Sequence, residues 1–128
     1  MKELLFIEPD KILGNTYLRY FGSKNYNVRV TGSAQEAIIL ADDITPDLVI
    51  VELQLRLHNG IDFLYEFRSY SDWHQIPIII LSMVPSNEFP SDKNFWSTLN
   101  IHKYMYKPKL KLSSLLTEIN DITLEKTI

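Results

Sequence analysis

The sequence predicts a single α/β domain, a doubly wound (βα)5 unit built on a five-stranded parallel sheet. Three observations point there. Leu4-Leu5-Phe6-Ile7, Leu48-Val49-Ile50-Val51 and Ile78-Ile79-Ile80-Leu81 are short, unbroken apolar runs, the pattern of strands buried on both faces. Segments with apolar residues at helical spacing lie between them. Each run also ends in a polar residue, Glu8, Glu52 or Ser82. Strands alternating with helices imply right-handed crossovers, helices on both faces of the sheet, and all strand ends along one edge.

Taken in order, Leu4–Ile7 is the first strand, and Asp10 is a good N-cap for a helix with Ile12, Leu13, Tyr17, Tyr20 and Phe21 on its apolar side. Gly22 ends that helix. Asn27–Val30 forms a short second strand. Ser33-Ala34-Gln35-Glu36 fits a capping box, and Ala34, Ala37, Ile38 and Ala41 give the i, i+3, i+4, i+7 stripe of helix two. Asp42, Asp43 and Pro46 close it. The third strand is Leu48–Val51, leaving the core at Glu52. Asn59-Gly60 opens helix three, with Ile61, Leu64 and Phe67 on one side. Pro77 precedes the fourth strand, a position where proline is tolerated. Met83 to Pro90 is the least defined stretch. Ser91 is a candidate cap for a helix over roughly 92–99. Lys103–Tyr106 reads as the fifth strand, ended by Lys107-Pro108. Leu112, Leu115, Leu116, Ile119 and Ile122 make the last amphipathic helix.

The 128 residues suit one domain, 1–124, followed by a short tail, 125–128, that would suit a linker stub as well as a true end. Hydrophobic residues are 45% and charged residues 23%, which excludes a disordered chain. A net charge of −3 without basic blocks argues against a nucleic-acid or anionic-membrane surface. The absence of cysteine removes disulfides and thiol chemistry. No apolar run has the length of a membrane span or a signal peptide, so a cytoplasmic protein is expected. His58, His74 and His102 lack metal-ligand spacing.

Two carboxylates, a hydroxyl and an ammonium, from Glu8, Glu52, Ser82 and Lys107, converge on the carboxyl edge of such a sheet, where open α/β folds build their sites. Polar strand ends also simply meet water, but four complementary groups together look like a site or its remnant.

The order of these pieces resembles the receiver domain of bacterial two-component response regulators over essentially the whole chain, with its flavodoxin-like topology. The matching stretches are Leu4–Glu8, Pro46–Glu52 with Asn59-Gly60, Ile76–Ser82 and Tyr104–Pro108. The resemblance implies an acidic pair after strand one and an Asp ending strand three that together hold Mg²⁺. The Asp accepts a phosphoryl group from a histidine kinase. A Ser or Thr after strand four and a Lys after strand five bind the phosphoryl oxygens, and an aromatic in strand five repositions with them. Ser82, Lys107, Tyr104 and Glu8 match. Pro9 stands at the second acidic position and offers no ligand, Asp10 comes one residue too late, and Glu52 stands in place of the acceptor Asp. The loop after it carries Arg56-Leu57 where the family usually has Pro-Gly.

Mg²⁺ needs near-octahedral oxygen ligation, and a Glu carboxylate lies about one methylene further out than in-line transfer to an Asp would require. The expectation is a degenerate phosphorylation site (Glu8, Pro9, Glu52, Ser82, Lys107) with no cofactor and no enzymatic activity. An ion pair between Glu52 and Lys107 is expected, with Ser82 within reach of Glu52. It either holds one activated-like state or merely satisfies two charges on a surface that never switches. Tyr104, Tyr106 and Trp96 mark the expected interaction surface, with Trp96 either joining Tyr106 in an exposed aromatic surface or packing into the domain. A protein partner, or a second copy, would bind the face of helix four, strand five and helix five; Lys109 and Lys111 read as solvated loop. The alternative is a working Mg²⁺-dependent phospho-receiver whose metal ligands are Glu8, Asp10 and Glu52. A small-ligand domain of the flavodoxin type lacks support, since Glu8-Pro9-Asp10-Lys11 has no phosphate-cradling Ser, Thr and Gly run.

Overall fold

Five parallel strands form one sheet in the order β2-β1-β3-β4-β5. The structure, a computed structural model, describes residues 1–55, 59–88 and 93–125. Its elements are β1 (Glu3–Ile7), α1 (Lys11–Gly22), β2 (Asn27–Thr31), α2 (Ala34–Asp43), β3 (Leu48–Glu52), α3 (Gly60–Ser69), β4 (Ile78–Ser82), α4 (Lys93–Thr98), β5 (Ile101–Tyr106) and α5 (Leu112–Glu125). The expected doubly wound architecture is present. Arg56-Leu57, His58, the proposed Ser91 cap and residues 126–128 lie outside the described residues.

The unbroken apolar runs hide a period of two. Leu5, Ile7, Val49, Val51, Ile78 and Ile80 face one side, where they pack with Ala37 and Ala41 of α2 and Phe63, Leu64 and Phe67 of α3. Leu4, Phe6, Leu48, Ile50, Ile79 and Leu81 face the other, with Tyr17 and Phe21 of α1 and Leu115, Ile119 and Ile122 of α5. Alternation puts half of each run into each core, so both faces must be apolar and the sequence shows no alternation at all. Phe6 anchors the second core, its ring 4.8 Å from Tyr17 and 5.4 Å from Phe21.

The helix starts follow their caps. Asp10 Oδ1 accepts from the amides of Ile12 (2.9 Å) and Leu13 (3.1 Å), and Asn59 Oδ1 from those of Ile61 and Asp62. Ser33 Oγ accepts from Glu36 N at 3.2 Å, but the reciprocal half of the capping box is absent: Ser33 N donates to Thr31 Oγ1 instead. Ile12 is 79% exposed, against the expectation that it faces the core. Gly14 takes the inward position, and a Cβ there would stand 2.9 Å from Val30 Cγ1. β5 begins earlier than expected, at Ile101, after Asn100 turns the chain with φ 53°. A register shift against Ile78/Ile79 accommodates the extra residue.

Arg68 was not among the residues the sequence singled out. Its guanidinium is buried and donates to four carbonyls: Nε to Leu99 (2.6 Å), Nη1 to Trp73 (2.6 Å), and Nη2 to Ile76 (2.7 Å) and Asn100 (3.0 Å). Burial lowers its pKa to about 10, which leaves it charged at neutral pH. The side chain thereby ties α3 to the turns that lead into β4 and β5.

Gly60 closes the loop after β3. Its amide donates to Leu53 O at 2.7 Å, and a Cβ would lie 2.7 Å from Leu53 Cα and 2.9 Å from Glu52 O. These are backbone atoms that cannot swing away. Gly60→Ala is therefore expected to cost about 2 kcal/mol in urea unfolding; a loss within the ~0.5 kcal/mol typical of surface substitutions would mean the loop relaxes freely.

Candidate functional site

Three of the four strand-end groups meet, and the fourth, Ser82, turns to other partners. Glu52 and Ser82 are the last residues of β3 and β4, while Glu8 and Lys107 follow β1 and β5 directly. Glu8, Glu52 and Ser82 are 4%, 4% and 1% exposed. Lys107 Nζ donates to Glu8 Oε1 at 2.5 Å and to Glu52 Oε1 at 2.8 Å. The expected Glu52–Lys107 pair is thus present, and Glu8 shares the same ammonium. The second oxygens are also engaged: Glu8 Oε2 accepts from Asp10 N and Glu52 Oε2 from Gln54 N, each at 3.1 Å. Burial alone would lower the lysine's pKa, but its bonds to Glu52 and Glu8 and their charges outweigh that and raise it. Two buried carboxylates side by side repel one another, and the shared ammonium offsets that repulsion.

Ser82 does not bond to Glu52. Its hydroxyl accepts from Val84 N at 3.0 Å, and it also lies against the Tyr104 phenol. Tyr104 in turn donates its hydroxyl to Val84 O at 2.6 Å. Burial raises the Tyr104 pKa, the Ser82 contact opposes this and the Glu52 charge adds to it. Trp96 meets the Tyr104 ring edge-on, with centroids 5.4 Å apart and planes at 75°, rather than forming an exposed pair with Tyr106. Tyr104, Tyr106 and Trp96 are all half-buried, whereas Lys109 and Lys111 are exposed.

Tyr17 is the site residue that the sequence did not reveal. It packs from α1 against Phe6 and is 2% exposed, within electrostatic reach of both carboxylates. Its phenol is pushed up to about 12 by burial and by the charges of Glu8, Glu52 and Asp10, with Lys107 pulling the other way. Its helical spacing marked it only as core.

Mg²⁺, which the resemblance brings with it, does not fit the residues present. Pro9 has no donor, Asp10 spends its carboxylate on the α1 amides, and the Lys107 ammonium lies between the two remaining acids. Among the described residues no group of three acidic or histidine side chains is arranged for a metal.

A parallel sheet with strand order 2-1-3-4-5, polar at its carboxyl edge, is a frame that receiver domains share with flavodoxins. The chain belongs to the response regulator receiver domain family, whose model matches residues 4–120. Such domains are modules of two-component signalling that act through other proteins and are not typically enzymes.

Among its relatives, the transcriptional regulatory protein CpxR of Klebsiella pneumoniae is 29% identical over 108 residues, covering 84% of this chain and 44% of that protein. The probable transcriptional regulator ycf29 of Pyropia yezoensis is 25% identical over 120 residues, covering 94% and 52%. The chain spans about half the length of these curated relatives. Its fold is similar to that of the chemotaxis protein CheY4 of Vibrio cholerae, with TM-score 0.84, 19% identity and coverage of 95% and 98%. A two-component response regulator from Clostridium difficile gives 0.84 at 18% identity over both full chains. Identities this low show the fold alone. Among the described residues no helix is long and apolar enough to cross a membrane.

Proposed function

We propose that this receiver domain signals without phosphoryl transfer, as a protein-interaction module whose site is neutralised from within. Glu52 stands where the family's acceptor Asp would, and Pro9 where a metal carboxylate would. The observation that carries this reading is the Lys107 ammonium bonded to both Glu8 and Glu52. It supplies the charge compensation that a metal would otherwise provide, and it ties up both carboxylates. In-line transfer depends on placement within fractions of an ångström, and a carboxylate extended by a methylene and clamped by lysine is poorly placed for it.

The partner surface on this reading is the face of α4, β5 and α5, with Tyr106 and the Tyr104–Trp96 pair. Tyr104, bonded to Val84 O and covered by Trp96, supports a surface held in one arrangement. Either a heterologous protein or a second copy would dock there.

The test is intact mass after incubation with Mg²⁺ and a small acyl-phosphate donor, on the native chain and on a Pro9→Asp, Glu52→Asp double variant. The native chain is expected to stay unmodified and the double variant to gain a phosphoryl group. A native chain that gains one would overturn the proposal in favour of a working Mg²⁺-dependent receiver.

A further inference from the structure

At the opposite edge of the sheet, away from Glu8, Glu52 and Lys107, the end of α2 and the 3-10 turn Ser71–Trp73 enclose a groove of about 320 Å³. It is lined by Ile38, Ile39, Asp42, Tyr70, Asp72 and Trp73. Its floor is fixed. Trp73 is 6% exposed and stacks on Phe67 at 4.9 Å and against Tyr70 at 4.8 Å. Its walls are not covered. Ile39 is 67% exposed and Tyr70 43%. A cluster of large apolar side chains rimmed by polar ones is the usual mark of a protein-binding patch.

The rim decides what fits. Asp42 and Asp72 are exposed on the groove, and neither joins an ion pair among the described residues. Arg29, bonded to the end of α2, spends its guanidinium on the carbonyls of Leu40 (2.5 Å) and Ile44 (2.6 Å). The groove is therefore apolar within and acidic at its edge. Two copies related by a two-fold axis would set one acidic rim against another, which like-charge repulsion opposes. We propose that this groove docks a partner protein segment in which an aliphatic or aromatic side chain is flanked by Lys or Arg. The apolar residue would enter between Ile39 and Tyr70 over Trp73, and the flanking cations would meet Asp42 and Asp72. A rigid aromatic floor with a hydrated charged rim is the arrangement in which one anchor carries most of the affinity. This proposal does not depend on the phosphoryl-transfer reading, because it uses no residue of that site.

Short synthetic peptides with a central Leu flanked by Lys and Arg would be titrated into ¹⁵N-labelled protein. Matched peptides would carry Ser or Glu in place of the basic residues. Shifts are expected at Ile39, Tyr70 and Trp73, weakening with salt and lost with the acidic peptide. Ile39→Ser and the Asp42→Lys, Asp72→Lys pair should each weaken binding by about tenfold or more. All three positions to be changed are exposed, and circular dichroism would check that the fold is retained. Shifts that map elsewhere, equal binding of the Ser and Lys/Arg peptides, or unchanged affinity in the charge-reversed variant would overturn the proposal. So would sedimentation showing a dimer of the native chain that Ile39→Ser dissociates, because the groove would then belong to a second copy.

Discussion

Lys107→Met is expected to destabilise the domain by about 3–5 kcal/mol, the cost of leaving buried charge without its partner. The lysine holds two carboxylates that are each about 4% exposed, and methionine keeps the packing volume while removing the charge. Urea unfolding of the native chain and the variant measures it. The effect is expected to shrink in a Glu8→Gln, Glu52→Gln background, where no uncompensated charge remains. A loss of the same size in that background would mean that Lys107 acts through packing alone.

The pH dependence follows from the same contacts. The folded-state pKa of Lys107 is raised above the ordinary 10.5, so the folded state holds its proton more tightly than the unfolded chain. The stabilisation it confers is fully present below pH 10.5 and is lost as pH rises through the folded value. The gap between the native chain and Lys107→Met should therefore hold across neutral pH and close as pH rises through the folded value of Lys107.

Arg68→Met is expected to cost a comparable amount, about 3–5 kcal/mol, for a different reason. Here no opposite charge is lost. Four carbonyls, of Leu99, Trp73, Ile76 and Asn100, lose their donor together. A carbonyl left buried and unpaired pays its full desolvation cost. Arg68→Lys should recover only part of it, since an ammonium cannot reproduce the planar fork that reaches four directions. A loss below ~1 kcal/mol, the size of one ordinary hydrogen bond, would show that water replaces the guanidinium without strain.

Much of this was legible in the sequence, for identifiable reasons. Unbroken aliphatic runs reveal strands buried on both faces, and the residue that ends each run must lie at the sheet's edge. That logic placed Glu8, Glu52, Ser82 and Lys107 on one edge and foresaw the Glu52–Lys107 pair, though not that Glu8 would share the ammonium while Ser82 stood apart. It could not tell which hydroxyl or amide each group would choose. Ser82 accepts from the Val84 amide two residues ahead, while the Glu52 oxygens are taken by Lys107 Nζ and Gln54 N. Helical spacing misplaced Ile12, because Gly14 takes the inward position of that turn, close against Val30, and leaves Ile12 in solvent. Arg68 was invisible for a simple reason. Its partners are backbone carbonyls, and nothing in a sequence marks a carbonyl that will need a donor.

Lys107 also has a mechanical consequence. Among the described residues β5 is an edge strand, paired along its length with β4 alone. Its last turn nonetheless reaches over β4 to grip residues at the ends of β1 and β3. An edge strand is ordinarily the first part of a sheet to fray. Here the flank cannot peel from its carboxyl end without exposing two bare carboxylates, so opening at the edge becomes coupled to opening at the centre. The outermost strand inherits the durability of the innermost ones.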